Sequence, residues 1–260
     1  MYVLNCSLCL PDVPVLERAA AAAAAGFTEV EFWWPFESAS PSDAEVDRFA
    51  RSIEDSGVGL RGLNFTGGDM PAGDRGLVSW PGREQEFRDS VAVAVALGER
   101  LGIEVFNALY GNRIDGASGQ DDVADENLAH AAEEAGRIGA TVALEPLSGA
   151  ERYPLRTAAD AVAVLDRVGA HAGELAGPTI GRSLGLLFDA YHLAVNGDDL
   201  DAAITRYADR IAHVQLADAP GRHEPGTGGI DFPHVLDALD RAGYTGRIAL
   251  EYIPTRKVTA

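Results

Sequence analysis

The sequence predicts an α/β fold, a closed (β/α)8 TIM barrel formed by a single domain over residues 1–260. Three observations lead there. Apolar runs of strand length alternate strictly with helical segments, and that alternation implies a parallel sheet. Eight such units within 260 residues match the size of one barrel. No linker and no shift in composition interrupts the series. An open, doubly wound sheet is the competing architecture, but no G-x-G-x-x-G opens the first helix.

Taken in order, VLNCSL (3–8) reads as the first strand and Val13–Ala25 as an alanine-rich helix that Gly26 ends. TEVEFWW (28–34) follows, then a helix from about Ser42 to Ser56 with Ser42 or Asp43 able to cap it. GLRGLNF (59–65) is the third strand. A glycine-rich loop at 66–82 comes next, too long for a plain connection and therefore a functional candidate. Glu84–Leu101 repeats apolar residues at helical spacing through Phe87, Val91 and Val95. IEVFNAL (103–109), a helix over Asp121–Ile138, and TVALE (141–145) continue the series. Thr157–Val168 is helical, and a long glycine-containing connection leads to SLGLLFD (183–189). Asp198–Tyr207, RIAHVQL (210–216), Phe232–Ala242 and RIALEY (247–252) complete it. About eight residues remain, so the last helix is expected to be short or missing.

Composition narrows the function classes. The net charge is −19 with a single lysine, which argues against nucleic acid as a partner. No segment has the length and apolarity of a membrane span, and MYVLNCSLCLPDVP lacks the features of a signal peptide. A cytoplasmic protein with a small-molecule substrate is the expectation. Cys6 and Cys9 form a lone C-S-L-C, too little for a cysteine zinc site. On a strand, positions three apart face oppositely, so we read both as structural.

The chemistry shows at the strand ends. TVALEP is apolar until Glu145, where Pro146 stops the pairing, and a buried carboxylate is costly without a partner. LLFDAYH, AHVQLAD and IALEYIP repeat the pattern with Asp189, Gln215 and Glu251. Barrel enzymes place their chemistry where strands end. Three carboxylates crowded there repel one another unless a cation intervenes, and an all-oxygen set suits Mg²⁺ or Mn²⁺. His192 lies just beyond Asp189, on the expected loop above the metal. Arg222 lies in a glycine- and proline-rich loop, where a guanidinium suits a substrate carboxylate.

These stretches resemble the hydroxypyruvate isomerase family of the xylose-isomerase-like barrels. The similarity is carried by NFTGGDMPAGDRG (64–76), ALEPL (143–147), FDAYH (188–192), HVQLADAPGRHEPGTG (213–228) and GYTGRIALEYIP (243–254). The resemblance implies metal ligands at Glu145, Asp189, Gln215 and Glu251, an acid–base pair at Glu145 and Glu251, and substrate contacts from His192 and Arg222. It implies an isomerase that interconverts hydroxypyruvate and tartronate semialdehyde through an enediolate, with Mg²⁺ or Mn²⁺ bound. Gln215 separates the chain from ketose 3-epimerases, which usually have histidine there. Gly229 stands where the family commonly has an acidic residue, which bears on the choice of substrate. The alternatives are a 2-dehydrotetronate isomerase, a ketose 3-epimerase, a polyol dehydratase, an endonuclease of abasic DNA and a non-catalytic sugar-binding protein. A barrel short of its last helix exposes apolar surface, so a homo-dimer or homo-tetramer is expected.

Overall fold

Eight parallel strands close on themselves in chain order, β1 to β8, in a computed structural model that describes residues 2–175 and 183–259. The strands are β1 Val3–Asn5, β2 Glu29–Phe32, β3 Gly59–Asn64, β4 Val105–Ala108, β5 Thr141–Leu144, β6 Leu184–Asp189, β7 Ile211–Leu216 and β8 Ile248–Leu250. Closure is made by β1 against β8, with Val3 opposite Ala249 and Leu4 opposite Leu250. The expected barrel is therefore the observed one.

Among the described residues the helices are α1 Cys6–Cys9, α2 Arg18–Ala24, α3 Asp43–Ser56, α4 Glu84–Leu101, α5 Gln120–Arg137, α6 Ala158–Leu175, α7 Ala190–Val195, α8 Leu200–Tyr207 and α9 Phe232–Arg241. Each long helix turns its apolar stripe to the sheet. On α4, Phe87, Val91, Ala94 and Leu97 are buried, and the Phe87 ring meets Phe65 edge-on at 5.6 Å. Phe65 in turn stacks on Phe106 of β4 at 5.3 Å. Burial of one such phenylalanine contributes roughly 1.5–3 kcal/mol. Ser42 caps α3, and the Glu45 side chain accepts back from the Ser42 N–H at 2.8 Å, a reciprocal capping box.

Four expectations change at the level of elements. The first strand ends at Asn5, because the Asn5 side-chain oxygen Oδ1 accepts from the Ser7 and Leu8 N–H groups and caps the turn of α1. Cys6 and Cys9 thus belong to a helical turn rather than to opposite faces of a strand. Both thiols are free and buried; Cys9 donates to the Tyr252 carbonyl at 3.3 Å. The alanine-rich helix begins only at Arg18, after a 3₁₀ turn at Val15–Glu17. Helix α6 runs on to Leu175, and residues 176–182 of the glycine-containing connection lie outside the described residues. His192 sits in the short helix α7, not in a loop. No helix follows β8 among the described residues, and none is long and apolar enough to cross a membrane.

The loop at 66–82 is bonded to itself and to the end of β4. Gly76 donates to Gly67 O at 3.0 Å, and Ser79 donates to Tyr110 O at 2.8 Å. Gly76 has φ +109°, and a Cβ there would lie 1.9 Å from Leu109 O. Neither the backbone angle nor the close approach leaves room for a side chain. Gly76→Ala should therefore cost at least about 3 kcal/mol, read as a lowered midpoint in thermal or urea unfolding.

Candidate active site

Four carboxylates and one glutamine converge where the strands end. Glu31, Glu145, Asp189, Gln215 and Glu251 are each no more than 4% exposed. The strand period places His213 and Gln215 of β7 on one face, directed into the barrel with Glu31. The sequence-derived candidates Glu145, Asp189, Gln215 and Glu251 share this region with His192 and Arg222, although their partners differ from those expected.

The carboxylates fall into two electrostatic classes. Glu31 accepts from Asn5 Nδ2 at 2.9 Å, Gln215 Nε2 at 2.7 Å and His213 Nε2 at 2.7 Å. Burial pushes Glu31 up, but His213 and these donors hold it below the usual carboxylate range. An ionised Glu31 can only accept, so it takes the NH₂ side of the Gln215 amide. The Gln215 carbonyl oxygen then turns away from Glu31, buried and without a protein partner.

Glu145, Asp189 and Glu251 are held less fully. Burial raises Glu145 well above its ordinary value, with Glu251 and Asp189 adding to the effect. Burial likewise raises Asp189 to about 6 and Glu251 to about 7, in both cases against the pull of Arg222. Asn107 donates to Glu145 Oε2 at 2.6 Å. Trp33 Nε1 and Asn5 Nδ2 donate to Glu251 Oε1 at 2.7 and 2.9 Å. Asp189 Oδ1 caps α7 by accepting from Tyr191 N at 2.7 Å, while Oδ2 is buried without a hydrogen-bond partner. The capping role and the site role thus use different oxygens of one side chain.

Glu145, Asp189 and His192 each offer a ligand atom, all within 4.8 Å of one another, a buried group able to hold a metal ion. The histidine's tautomer bears on its part in this group. The Ser148 N–H donates to His192 Nδ1 at 3.0 Å, so that nitrogen carries no proton. Burial, with Arg222, pushes His192 well below the usual histidine range, which makes the ring neutral. Its one proton is then on Nε2, which lies 3.8 Å from both Glu145 Oε1 and Asp189 Oδ2. In this state Nε2 carries a proton and has no lone pair for a metal. Asp189 Oδ2, Gln215 Oε1 and Asn107 Oδ1 are buried oxygens of this region without a hydrogen-bond partner.

Arg222 closes the site from the loop after β7. Its Nη2 lies 2.5 Å from Glu251 Oε2 and 3.8 Å from Asp189 Oδ2, and the guanidinium stands 5.3 Å over the Tyr191 ring. Glu224, the other acid near it in sequence, binds Thr255 instead. Arg222 adopts φ 56°, costly for a residue with a side chain. The loop compensates: Arg222 N donates to Asp218 O at 2.8 Å, and Ile253 N donates to Arg222 O at 2.7 Å. Beneath them the buried Asp218 carboxylate accepts from the N–H groups of Ala219, Gly226, Gly228 and Ile230.

Sequence reasoning missed Asn5, Trp33, Glu31, Asn107, His213 and Asp218. A usable signal was present in part. Asn5, Glu31 and Asn107 are polar residues near the ends of apolar strands, the same pattern that exposed Glu145. Trp33 and Asp218 carried no such signal.

Asp218→Asn should turn an amide donor toward two backbone N–H groups and cost about 2–4 kcal/mol at neutral pH. Burial opposes the Asp218 charge, but its backbone donors hold the carboxyl below its ordinary value of 3.8. The wild-type advantage is therefore complete above that value and shrinks as pH falls below it. Urea unfolding of both proteins across pH 3–7 measures it (about 0.5-unit steps suffice to see the decline).

The family model described as "Xylose isomerase-like TIM barrel" matches residues 19–260. A Streptomyces coelicolor protein, provisionally named a hydroxypyruvate isomerase, is 48% identical over 97% of this chain and 90% of its own length. A 2-oxo-tetronate isomerase of Cupriavidus necator is 33% identical over 100% of this chain and 95% of its own. A crystal structure from Brucella melitensis, named as a family 2 AP endonuclease, superposes with a TM-score of 0.85 at 31% identity, covering 99% and 94% of the two chains. With the barrel closed and its strand-end acids gathered, the chain belongs to the hydroxypyruvate isomerase family within the xylose isomerase-like TIM barrels, and it is an isomerase.

Proposed function

We propose that this enzyme interconverts hydroxypyruvate and tartronate semialdehyde, or a closely related 2-oxo acid, with Glu145 and Glu251 as its acid–base pair. The observation that carries the reading is the pairing of these two glutamates in one cavity. Both are buried, and the cavity of about 310 Å³ they line also receives His192 and Arg222. Two carboxyl groups facing one small cavity can take a proton from one carbon of a bound substrate and return it to the next. The volume suits a substrate of few atoms.

The reaction moves a carbonyl to the adjacent carbon. One glutamate takes a proton from the hydroxymethyl carbon of hydroxypyruvate. The hydroxyl proton passes to the former carbonyl oxygen, and a glutamate returns a proton to the former carbonyl carbon. The second glutamate completes the transfer, or the first serves both carbons. Between the two steps negative charge gathers on adjacent oxygens, where the His192 Nε2–H and the Arg222 guanidinium can stabilise it.

Glu145, Asp189, Gln215 and Glu251 would hold Mg²⁺ or Mn²⁺. The unpartnered Asp189 Oδ2 and Gln215 Oε1 support that set, as does the crowding of three acids. Such a cation supplies Lewis-acid stabilisation of the enediolate charge.

A second substrate has specific support. The Cupriavidus relative is named for 2-oxo-tetronate, a longer acid with the same reacting carbons, and this chain aligns with it along its full length. The endonuclease name carried by the Brucella structure has less behind it. The net charge of −19 repels a phosphate backbone, and oxygen ligands predominate where a zinc nuclease needs histidines.

Glu145→Gln and Glu251→Gln should each lower kcat by at least about 10³-fold in a hydroxypyruvate isomerase assay with Mn²⁺. Full activity in either variant would sink the acid–base assignment. Exhaustive chelation should abolish turnover, and Mn²⁺ or Mg²⁺ should restore it. Undiminished activity in metal-free protein, checked by elemental analysis, would remove the cation from the scheme.

A further inference from the structure

The cavity holds a second cation that the acid–base scheme does not use. Arg75, from the loop after β3, lines it together with Met70 of the same loop. In a ring of eight strands β3 lies opposite β7, so Arg75 and Arg222 approach the mouth from opposite sides. Their surroundings differ. The Arg222 charge is opposed through Nη2 by Glu251 and Asp189, while its Nε is buried without a hydrogen-bond partner. Arg75 is anchored by one nitrogen alone: Nη1 donates to Met70 O at 3.2 Å and to Asp74 O at 2.6 Å. The adjacent acid is already taken, since Asp74 Oδ2 accepts from Arg83 Nη1 at 2.8 Å and from Asp69 N at 2.8 Å. Among the described residues no carboxylate pairs with Arg75.

A half-buried guanidinium with its charge unopposed is expensive unless a ligand supplies the anion. With Nη1 fixed to the loop, Nε and Nη2 keep their donors, side by side in the fork that matches a carboxylate. The loop is itself held rigidly, as Gly76 packs against Leu109 O and Gly67 O. The fork is thus presented from a fixed backbone, which lowers the entropy lost when the ligand binds.

We propose that Arg75, rather than Arg222, receives the substrate carboxylate, and that this contact makes the site selective for short hydroxy-oxo acids over neutral ketoses. The inference rests on the isomerase reading given above, and it corrects the expectation that Arg222 holds the carboxylate. Arg222 remains with the reacting oxygens and the acids. A neutral sugar would leave the Arg75 fork without its anion, so the penalty falls on the wrong substrate.

The test uses the Mn²⁺-loaded full chain as wild type, Arg75→Met and Arg75→Gln. Hydroxypyruvate turnover gives KM and kcat, and calorimetric titration with tartronate gives the affinity for an unreactive hydroxy acid. Melting temperature and bound metal are measured on each protein. In Arg75→Met, KM for hydroxypyruvate and Kd for tartronate should both rise by at least about thirtyfold. Bound metal should be unchanged and kcat should stay within about threefold of wild type. Arg75→Gln can still donate to Met70 O but carries no charge; it should show the same loss and decides the matter if the methionine variant fails to fold. Wild-type KM and Kd in a folded variant would overturn the role of Arg75 and leave the isomerase reading intact. A wild type that neither turns over hydroxypyruvate and 2-oxo-tetronate nor binds tartronate would overturn both.

Discussion

Carboxylates brought together out of water are the constraint on which the rest of this structure depends. Each would favour protonation or a counter-charge, and four of them meet at the end of one barrel. Glu31 is relieved completely, by three donors from two strands, Asn5 of β1 and His213 and Gln215 of β7. Glu145, Asp189 and Glu251 are relieved only in part, and their raised titration reports what is left over. A satisfied acid serves as an anchor, whereas an unsatisfied one retains the capacity to bind a cation or move a proton. Both kinds occur here within one cluster, and Gln215 links them. Its NH₂ end belongs to the anchored Glu31, and its oxygen is left without a partner.

The barrel makes this division possible through its topology. Strands β5, β6 and β8 end in Glu145, Asp189 and Glu251 or lead straight into them, while β1 and β4 contribute the amide donors Asn5 and Asn107. Asn5 uses its whole side chain, capping α1 with its oxygen and reaching Glu31 and Glu251 with its nitrogen. The segment after β8 takes a similar double part. It follows Glu251, then returns through Ile253 and Thr255 to hold the loop that carries Arg222 and Glu224. Fixing Arg222 in a costly backbone conformation needs such external support.

How much of this could be read from the residues depended on the range of the interaction. Strand order followed from alternation, a local property, and Glu145, Asp189, Gln215 and Glu251 followed from acids and an amide that interrupt apolar strands. The same rule, applied to VLN, EVEF and VFNA, would have reached Asn5, Glu31 and Asn107. What stayed hidden was pairing between strands distant in sequence. Asn5 and Glu251 lie at opposite ends of the chain, and no local pattern records that they touch. The short helix under His192 was obscured for another reason. Asp189 ends a strand and caps a helix with no residue between them, so strand and helix signals overlap. Arg222 was found by its loop chemistry, but its partner Glu251 lies in a different βα unit from the nearby Glu224.

The acidic exterior and an anionic substrate are compatible once the ranges of the two fields are compared. A net charge of −19 would oppose an approaching acid in pure water. At physiological ionic strength the screening length is about 8 Å, so exposed charges act chiefly on their immediate surroundings. Inside the cavity screening is weaker, and the balance is set by the side chains that line it. There Arg222 offsets part of the acids' charge, and Arg75 adds a further positive charge on the facing loop. Surface composition therefore governs partners as large as a nucleic acid, which must contact many surface charges at once. A substrate small enough to enter a cavity of 310 Å³ responds instead to the two arginines at its mouth.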